Sequence, residues 1–205
     1  MKAADRVLEL IALLRAKGFD IRHVDLGGGL GVTYKPDDPA PPIGEFTMAL
    51  REKVAGLDLH VFLEPGRSIV GNAGVLLTRV LYRKKSGDKE FVVVDAAMND
   101  LIRPALYDAH HEILPLRATS TACDLRADVV GPVCESGDFL AQDRQMPEAY
   151  PDDLLAVCTT GAYGFAQSSN YNARPRPAEV LIENGSWRII RARETYDDLI
   201  RGEES

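Results

Sequence analysis

The apolar residues near the start of the chain recur at helical spacing. They form one stripe along residues 1–17, which includes Val7, Leu8, Ile11 and Leu14. Gly18 follows where a helix C-cap is expected, because glycine readily adopts the left-handed conformation that ends many helices. Residues 43–55 carry a second stripe of the same kind. The sequence therefore predicts two amphipathic helices in this region.

Short apolar runs alternate with these helices. Residues 19–26 predict a strand that leads into Gly27-Gly28-Gly29, and a proline-rich loop follows at 36–42. Residues 60–64 predict a second buried strand, which ends at the turn Pro65-Gly66. The order helix, strand, helix, strand is that of an α/β barrel or a doubly wound sheet. Because two such units cannot close a barrel, the pattern indicates part of a larger α/β domain.

After about residue 72 the pattern changes to short runs typical of β-strands. The predicted strands cover residues 75–82, 91–94, 128–133, 154–158, 178–182 and 187–192. Asn184-Gly185 lies between two of them and is a strong signal for a two-residue hairpin, and residues 193–205 predict a short terminal helix. We therefore expect an α/β plus all-β chain, with an α/β segment at 1–73 and a mainly antiparallel β-domain at 74–205.

The composition is that of a globular protein with an excess of acidic residues. A net charge of −7 argues against nucleic acid or an anionic membrane as the main partner. No apolar run reaches the roughly 18 residues that span a bilayer. Neither the three cysteines (Cys123, Cys134, Cys158) nor the adjacent His110 and His111 have the spacing of a metal site, so we expect none. These features predict a cytoplasmic protein with free thiols.

Two glycine-containing turns follow the two predicted parallel strands. The first is Gly27-Gly28-Gly29 and the second is Glu64-Pro65-Gly66-Arg67. Glycine lets backbone N–H groups approach a phosphate closely, because no Cβ intervenes. Turns at the carboxyl ends of neighbouring barrel strands lie on the same side, where phosphates commonly bind. The alternatives are a plain tight turn for the first and a Glu–Arg pair that stabilises the second.

Three further segments carry residues that could take part in catalysis or binding. Residues 131–138 place Cys134 beside two acids, which suits either a thiol acid–base site or a loop with a half-buried cysteine. Tyr163 lies between glycines that would allow it to pack closely against a flat or polar group, or it is a plain aromatic residue in a turn. Arg103 and Tyr107 are four residues apart and would share a helical face, the alternative being a solvated arginine beside a half-buried tyrosine.

Taken in this order, the segments resemble the fold-type III pyridoxal-phosphate decarboxylases of basic amino acids, and the diaminopimelate decarboxylases in particular. The likeness extends over essentially all 205 residues and rests on the series HVDLGGGLGV, EPGRSIVGNAG, GPVCESGD and GAYGFAQSSNYN. It implies the last βα units of an alanine-racemase-like (β/α)8 barrel, followed by the β-domain, in a head-to-tail homodimer. It also implies pyridoxal 5'-phosphate as cofactor and decarboxylation of meso-2,6-diaminopimelate to L-lysine.

The resemblance implies roles around the cofactor. Gly28 and Gly29 would donate amides to the cofactor phosphate, with help from the turn at Gly66-Arg67. Glu64 would lie against the pyridine nitrogen and keep it protonated, so that the ring can take up electrons. Tyr163 would line the cofactor and contact the substrate.

The resemblance also implies substrate contacts. Arg67, Arg103 and Tyr107 would hold the carboxylate at the far end of the substrate, since a guanidinium offers a planar fork. Cys134 would be the proton donor and Glu135 would contact the distal amino group, in a loop that reaches the active site of the partner subunit. Ornithine and arginine decarboxylases usually carry an aspartate after the cysteine, whereas glutamate follows it here.

The sequence departs from this family at the lysine that binds the cofactor. The family carries that lysine in a Tyr-x-x-Lys-Ala-Asn-like setting, and Lys2, Lys17 and Lys35 lack such a setting. We therefore expect the C-terminal portion of such an enzyme, inactive alone. Two alternatives remain open: a related decarboxylase of another basic amino acid, and a non-catalytic fragment that binds a decarboxylase subunit.

Overall fold

The computed structural model describes residues 2–35, 37–117 and 124–203. The chain forms two compact units, Met1–Asn72 and Ala73–Ser205. The predictions for Met1 in the first helix, for Pro36 in the proline-rich loop and for Cys123 as a free thiol lie outside the described residues.

The first unit contains the predicted order of helices and strands. Its elements are α1 (Lys2–Ala16), β1 (His23–Asp25), α2 (Ile43–Val54), β2 (His60–Phe62) and α3 (Arg67–Val70). β1 and β2 pair in parallel, with His23 opposite His60. α1 ends at the predicted cap, because Gly18 has a φ of +90°. The α/β order of this segment is therefore confirmed.

Both strands of this unit are shorter than predicted. The apolar runs 19–26 and 60–64 extend further, but only three residues of each form paired β-structure. The parallel ladder stops at the pair Asp25 and Phe62, and Phe19 is 57% exposed. An apolar run predicts burial, whereas a strand also needs a partner opposite each residue.

The first unit buries few side chains. Its buried apolar residues are Ala4, Ile11, Val24 and Leu50. Large apolar side chains that stay exposed include Leu13, Ile43, Met48, Phe62 and Ile69. The guanidinium of Arg15 donates to the carbonyl of Ile21 at 2.9 Å and to that of Leu57 at 2.7 Å. Polar contacts therefore help to fix the connections that lead into both strands.

The second unit is built on a six-stranded sheet. Its strands are β3 (Leu76–Ser86), β4 (Lys89–Val94), β5 (Ile113–Pro115), β6 (Leu125–Val130), β7 (Phe139–Met146) and β8 (Leu154–Val157), with α4 (Arg103–Tyr107) between β4 and β5 in sequence. The strand order is β5-β8-β3-β4-β6-β7. β4 and β6 are parallel, and the other four neighbouring pairs are antiparallel. A mainly antiparallel sheet is therefore present, as predicted.

Apolar side chains of this sheet form the core of the second unit. In β3, Thr78 and Val80 are buried while the residues between and beside them are exposed, the period of a sheet with one covered face. The most deeply buried side chains include Val80, Val92, Val94, Leu101, Ile113, Val129, Leu140, Met146, Leu155 and Val157. Each side chain of this size contributes roughly 1.5–3 kcal/mol when fully buried.

Two strands of the sheet were not predicted from the sequence. β5 has three residues and ends in Pro115, at an edge of the sheet where a missing N–H costs no ladder bond. β7 reads FLAQDRQM, and a bulge that includes Asp143, with φ of +50°, interrupts its alternation. The apolar stretches at 113–116 and 139–141 are short, and a proline in the first and the polar residues after the second weaken the strand signal.

A separate two-stranded sheet follows the larger one. β9 (Glu179–Glu183) and β10 (Ser186–Arg191) are antiparallel and are joined by the predicted turn, where Asn184 and Gly185 have φ of +51° and +76°. The short terminal helix is also present, as α5 (Tyr196–Leu199), with Thr195 and Asp198 in a capping box. Across the described ranges, no helix is both long enough and apolar enough to cross a membrane.

Candidate functional site

The turns after β1 and β2 lie side by side in the first unit. The amide of Leu26 donates to the carbonyl of Phe62 at 3.1 Å, and the amide of Glu64 donates to the carbonyl of Gly27 at 2.9 Å. A Cβ on Gly28 would lie 2.5 Å from the carbonyl oxygen of Glu64. Glycine is therefore required at this position by the close approach of the two turns.

The glycine turn itself has the shape of an anion cradle. Gly27 and Gly29 have φ of +68° and +94°, and the carboxylate of Asp25 accepts from the amide of Gly27 at 2.7 Å. Within the part of the chain that the structure describes, the amides of Gly28 and Gly29 donate to no protein acceptor, and both residues are exposed. Two such amides in one turn can bind a phosphate oxygen.

Glu64, Gly66 and Arg67 follow β2 as predicted. The carboxylate of Glu64 and the backbone of Gly66 are exposed, whereas Arg67 is half-buried. The guanidinium of Arg67 donates to the hydroxyl of Tyr34 at 3.3 Å and lies 5.9 Å from the centre of its ring. Tyr34 was not among the predicted residues, because the sequence gives no signal for a contact across 33 residues.

In the second unit, Arg103 lies between the two predicted tyrosines. Its guanidinium carbon is 5.9 Å from the ring centre of Tyr107 and 5.8 Å from that of Tyr163. Arg103 is buried with 7% exposure, while Tyr107 and Tyr163 are 58% and 43% exposed. The alternative of a solvated arginine beside a half-buried tyrosine is therefore wrong, because it is the arginine that is buried.

His111, considered from the sequence only as a metal ligand, contacts Arg103. Its ring is fully buried, donates through Nδ1 to the carbonyl of Cys158 at 2.8 Å and accepts through Nε2 from Nε of Arg103 at 3.4 Å. Burial lowers the pKa of His111, and the charges of Arg103 and Arg144 act in the same direction. The neutral ring, with its proton on Nδ1, is the form that can accept from an arginine.

The turn that carries Tyr163 is tightly packed. Tyr163 itself has a φ of +61°, a conformation that tyrosine seldom adopts. A Cβ on Gly164 would lie 2.3 Å from the carbonyl oxygen of Thr160, and one on Gly74 would lie 2.4 Å from Cα of Gly161. Glycine is therefore required for close packing at Gly164, one of the two predicted glycines, and at Gly74, and Tyr163 in this turn lies beside Arg103.

Cys134 lies at the tip of the loop between β6 and β7. The buried carboxylate of Asp138 shapes this loop, because it accepts from the amide of Met98 at 2.7 Å and from that of Val133 at 2.6 Å. The thiol of Cys134 is exposed, so the half-buried alternative is wrong for this residue.

Glu135, the residue after the cysteine, is held at both carboxylate oxygens. Oε1 accepts from the amide of Gly137 at 3.3 Å, and Oε2 accepts from the hydroxyl of Tyr171 at 3.1 Å. These bonds, first that from Gly137 and then that from Tyr171, lower the pKa of the Glu135 carboxyl. The loop also lies against α4, since a Cβ on Gly137 would be 3.8 Å from Cβ of Ala105.

The second unit therefore carries a guanidinium between two phenol rings and, on a loop that lies against α4, an ionised carboxylate and a thiol. A guanidinium binds carboxylates through its planar fork, and a carboxylate binds ammonium groups. The arrangement suits a ligand that carries both charges. Among the described residues, no cluster of three or more histidine, cysteine or acidic side chains could hold a metal ion.

Comparisons with known proteins show which family the chain resembles. Residues 9–161 match the family model described as "Pyridoxal-dependent decarboxylase, C-terminal sheet domain". The chain is 50% identical over 199 residues to the diaminopimelate decarboxylase of Aquifex aeolicus, covering 97% of this chain and 47% of the relative. It is 53% identical over 203 residues to that of Pseudomonas aeruginosa, covering 99% and 48%.

A solved structure gives the same correspondence. The diaminopimelate decarboxylase of Helicobacter pylori in complex with L-lysine is 42% identical, has a TM-score of 0.86 and is matched over 98% of this chain and 49% of that chain. The chain thus spans about half the length of the curated relatives it matches.

Proposed function

This chain belongs to the pyridoxal-dependent decarboxylases, and we propose that it takes part in the decarboxylation of meso-2,6-diaminopimelate to L-lysine. The observation that carries the proposal is the position of Arg103 between two phenol rings, in the same unit as a fixed, ionised Glu135. The far end of diaminopimelate bears one carboxylate and one ammonium group. A guanidinium and a carboxylate are their natural partners.

The first unit would supply part of the cofactor site. The amides of Gly28 and Gly29 would hold the phosphate of pyridoxal phosphate, and the close approach of Gly28 to the carbonyl oxygen of Glu64 supports this because it keeps the two turns side by side. When bound, this cofactor supplies an electron sink for the pair that the departing carboxylate leaves on carbon. Glu64 would keep a proton on the ring nitrogen, and the turn at Gly66-Arg67 would complete the phosphate site.

The second unit would supply most of the substrate contacts. Arg103 and Tyr107 would bind the distal carboxylate, and Tyr163 would contact both cofactor and substrate. Arg67, in the first unit, is a further candidate for binding the distal carboxylate. Glu135 would bind the distal ammonium group. The thiol of Cys134 would deliver the proton that replaces the lost carboxylate, and its exposure leaves it accessible to a substrate.

The finer architecture and the assembly are part of the same proposal. We infer that residues 1–73 form the last βα units of an alanine-racemase-like (β/α)8 barrel and that residues 74–205 form its C-terminal β-domain. The short parallel pair β1–β2 and the exposed apolar side chains of the first unit support this, because two strands rarely form a stable sheet alone. The enzyme would act as a cytoplasmic homodimer with its active site at the subunit interface.

The test is a decarboxylation assay on the complete enzyme, in which the cofactor lysine is present. We expect release of carbon dioxide and L-lysine from meso-diaminopimelate. Arg103→Gln should raise KM about a hundredfold, since two charge-assisted hydrogen bonds are lost. Arg188→Gln, on the exposed face of β10, is the matched control and should leave KM unchanged. Turnover of ornithine or lysine in place of diaminopimelate would instead identify a related decarboxylase.

A second test concerns the 205 residues by themselves. Incubated with pyridoxal phosphate and then reduced with borohydride, the chain should carry no stoichiometric lysine adduct, because none of its lysines stands in the family setting. Mass spectrometry of the digested protein measures this directly. An adduct on one lysine in every chain would contradict the need for a lysine from outside these residues.

A further inference from the structure

Tyr171 makes a single long-range contact with the candidate substrate site. Its hydroxyl donates to Oε2 of Glu135 at 3.1 Å, across 36 residues of sequence. Both carboxylate oxygens of Glu135 are then engaged, because the amide of Gly137 holds Oε1. A glutamate side chain on an exposed loop has several rotatable bonds, and two contacts from different segments leave it one orientation.

The segment that carries Tyr171 is fastened to the core through Asn99. This asparagine is 1% exposed. Its carbonyl oxygen accepts from the amide of Ser169 at 2.9 Å, and its side chain donates to the carbonyl of Ser169 at 3.3 Å. Its side-chain oxygen accepts from Nε of Arg174 at 2.9 Å. The residues on both sides of Tyr171 are therefore tied to one buried side chain.

The backbone directly after Tyr171 is strained. Asn172 and Ala173 have φ of +59° and +53°, in the left-handed region. Asparagine tolerates that region, but alanine is disfavoured there because its Cβ approaches a carbonyl oxygen. Strain of this kind persists where the surroundings over-determine the conformation, and it concentrates at functional sites. The contacts through Asn99 and the strain are separate observations, and both bear on the placement of one phenol.

We propose that Tyr171 is a positioning residue, which fixes the carboxylate of Glu135 so that it receives the distal ammonium group of the substrate. The inference rests on the proposed function and deepens it, since it names what sets the distance between the reacting end and the distal amine. A carboxylate fixed at one distance favours an amino acid of one length over shorter or longer homologues.

The protonation states agree with this role. The hydrogen bonds from Gly137 and Tyr171 lower the pKa of the Glu135 carboxyl, so it stays ionised and attracts an ammonium group. The same bond, with the charge of Glu135, raises the pKa of the Tyr171 hydroxyl, so it stays a donor. The tyrosine acts through the glutamate and touches no reacting atom.

The test is a double-mutant cycle on the complete decarboxylase with Tyr171→Phe, Glu135→Gln and the pair. Tyr171→Phe should raise KM for meso-diaminopimelate about tenfold and change kcat little, since a hydrogen bond to a charged group is lost. In the pair, the KM should match that of Glu135→Gln alone, because the tyrosine has no other route to the substrate. Tyr196→Phe, an exposed tyrosine of α5, is the control and should behave as wild type.

A second readout is independent of turnover. In the 205-residue chain labelled with carbon-13 at glutamate carboxyls, Tyr171→Phe should move the pKa of Glu135 upward, towards its ordinary value, while Tyr196→Phe leaves it in place. If the pKa of Glu135 does not change in Tyr171→Phe, or if the effects of the two single substitutions on KM are additive in the double mutant, the positioning role alone is overturned. A complete wild-type enzyme that releases no carbon dioxide overturns the proposed function and, with it, this inference.

Discussion

Arg103 and His111 form a buried pair in which the neutral imidazole accepts from Nε of the guanidinium at 3.4 Å. The other ring nitrogen is held by the carbonyl of Cys158, at the end of β8. The guanidinium carbon of Arg103 lies 5.9 Å from the ring centre of Tyr107 and 5.8 Å from that of Tyr163, while the imidazole contacts its Nε. The histidine thus connects α4 to the strand that leads to Tyr163.

Replacement of His111 by phenylalanine should keep a planar ring in the site and remove both hydrogen bonds. We expect the free energy of unfolding to fall by ~1–3 kcal/mol, because a buried carbonyl and a buried guanidinium each lose a partner. KM for a dicarboxylic substrate should also rise, since Arg103 is no longer oriented. Denaturant titration and steady-state kinetics measure the two effects. His60→Phe, an exposed ring on β2, should change neither.

Gly28→Ala should weaken cofactor binding. The new methyl group would lie 2.5 Å from the carbonyl oxygen of Glu64, so one of the two turns must move. The amides of Gly28 and Gly29, which are proposed to bind the phosphate, would then be displaced. We expect the Kd for pyridoxal phosphate to rise about tenfold or more, the loss of one charge-assisted hydrogen bond. Gly31→Ala is a matched control, because a Cβ there meets no atom within 4 Å. Equal affinities for the two variants would argue against phosphate binding at this turn.

Asp138→Asn should loosen the loop that carries Cys134 and Glu135. The aspartate accepts two backbone amides, and an asparagine would turn an NH2 group towards one of them. The expected loss of stability is ~1–3 kcal/mol, measured by thermal or chemical unfolding. Amide hydrogen exchange at Val133 and Met98 should quicken. Ser136→Ala, in the exposed part of the same loop, should leave exchange unaltered.

The contacts of Glu194 predict how the free energy of unfolding changes as pH falls. It accepts from Nε of Arg176 at 2.7 Å, from the amide of Arg176 at 2.8 Å and from the side chain of Asn170 at 2.6 Å. These contacts, led by the side chain of Arg176, lower its pKa from 4.5 to about 2. Because the folded-state pKa is the lower one, the stabilisation is complete above the ordinary pKa and is lost as pH falls towards about 2.

Glu194→Gln should therefore destabilise the protein near neutral pH and have a smaller effect at pH values near the folded-state pKa. The measurement is the free energy of unfolding of both proteins across this range. Glu183→Gln, at the exposed end of β9, should follow the wild-type curve. Parallel curves for wild type and Glu194→Gln would show that the contact makes no difference in solution.

The sequence predicted the elements whose signal is local. The helical stripes of α1 and α2, the cap at Gly18 and the turn at Asn184-Gly185 each depend on residues close together in the chain, and the structure contains all four. β5 and β7 were missed, because the apolar stretch of β5 is short and contains a proline and that of β7 gives way to polar residues at the bulge. The lengths of β1 and β2 were overestimated, because a strand ends where its partner's pairing ends and not where its apolar residues end.

The same division holds for the candidate site. Arg103 with Tyr107, and Cys134 with Glu135, could be recognised from short spacings and from the resemblance to a family. Tyr34, His111 and Tyr171 could not, since their roles arise from contacts with residues that the fold brings near. These residue types are common throughout proteins. Burial, or a partner distant in sequence, gives each of these three its particular contact.

The parallel pairing of β4 with β6 determines where Arg103, Tyr107 and His111 can lie in the chain. Antiparallel neighbours can be joined by a two-residue turn, as β3 and β4 are, but two strands that point the same way need a long return path. Here that path crosses to β5 at the far edge of the sheet and includes α4 and His111. A sheet that was antiparallel throughout could close this gap with a short turn. It would then have no segment on which to carry the arginine and its tyrosine.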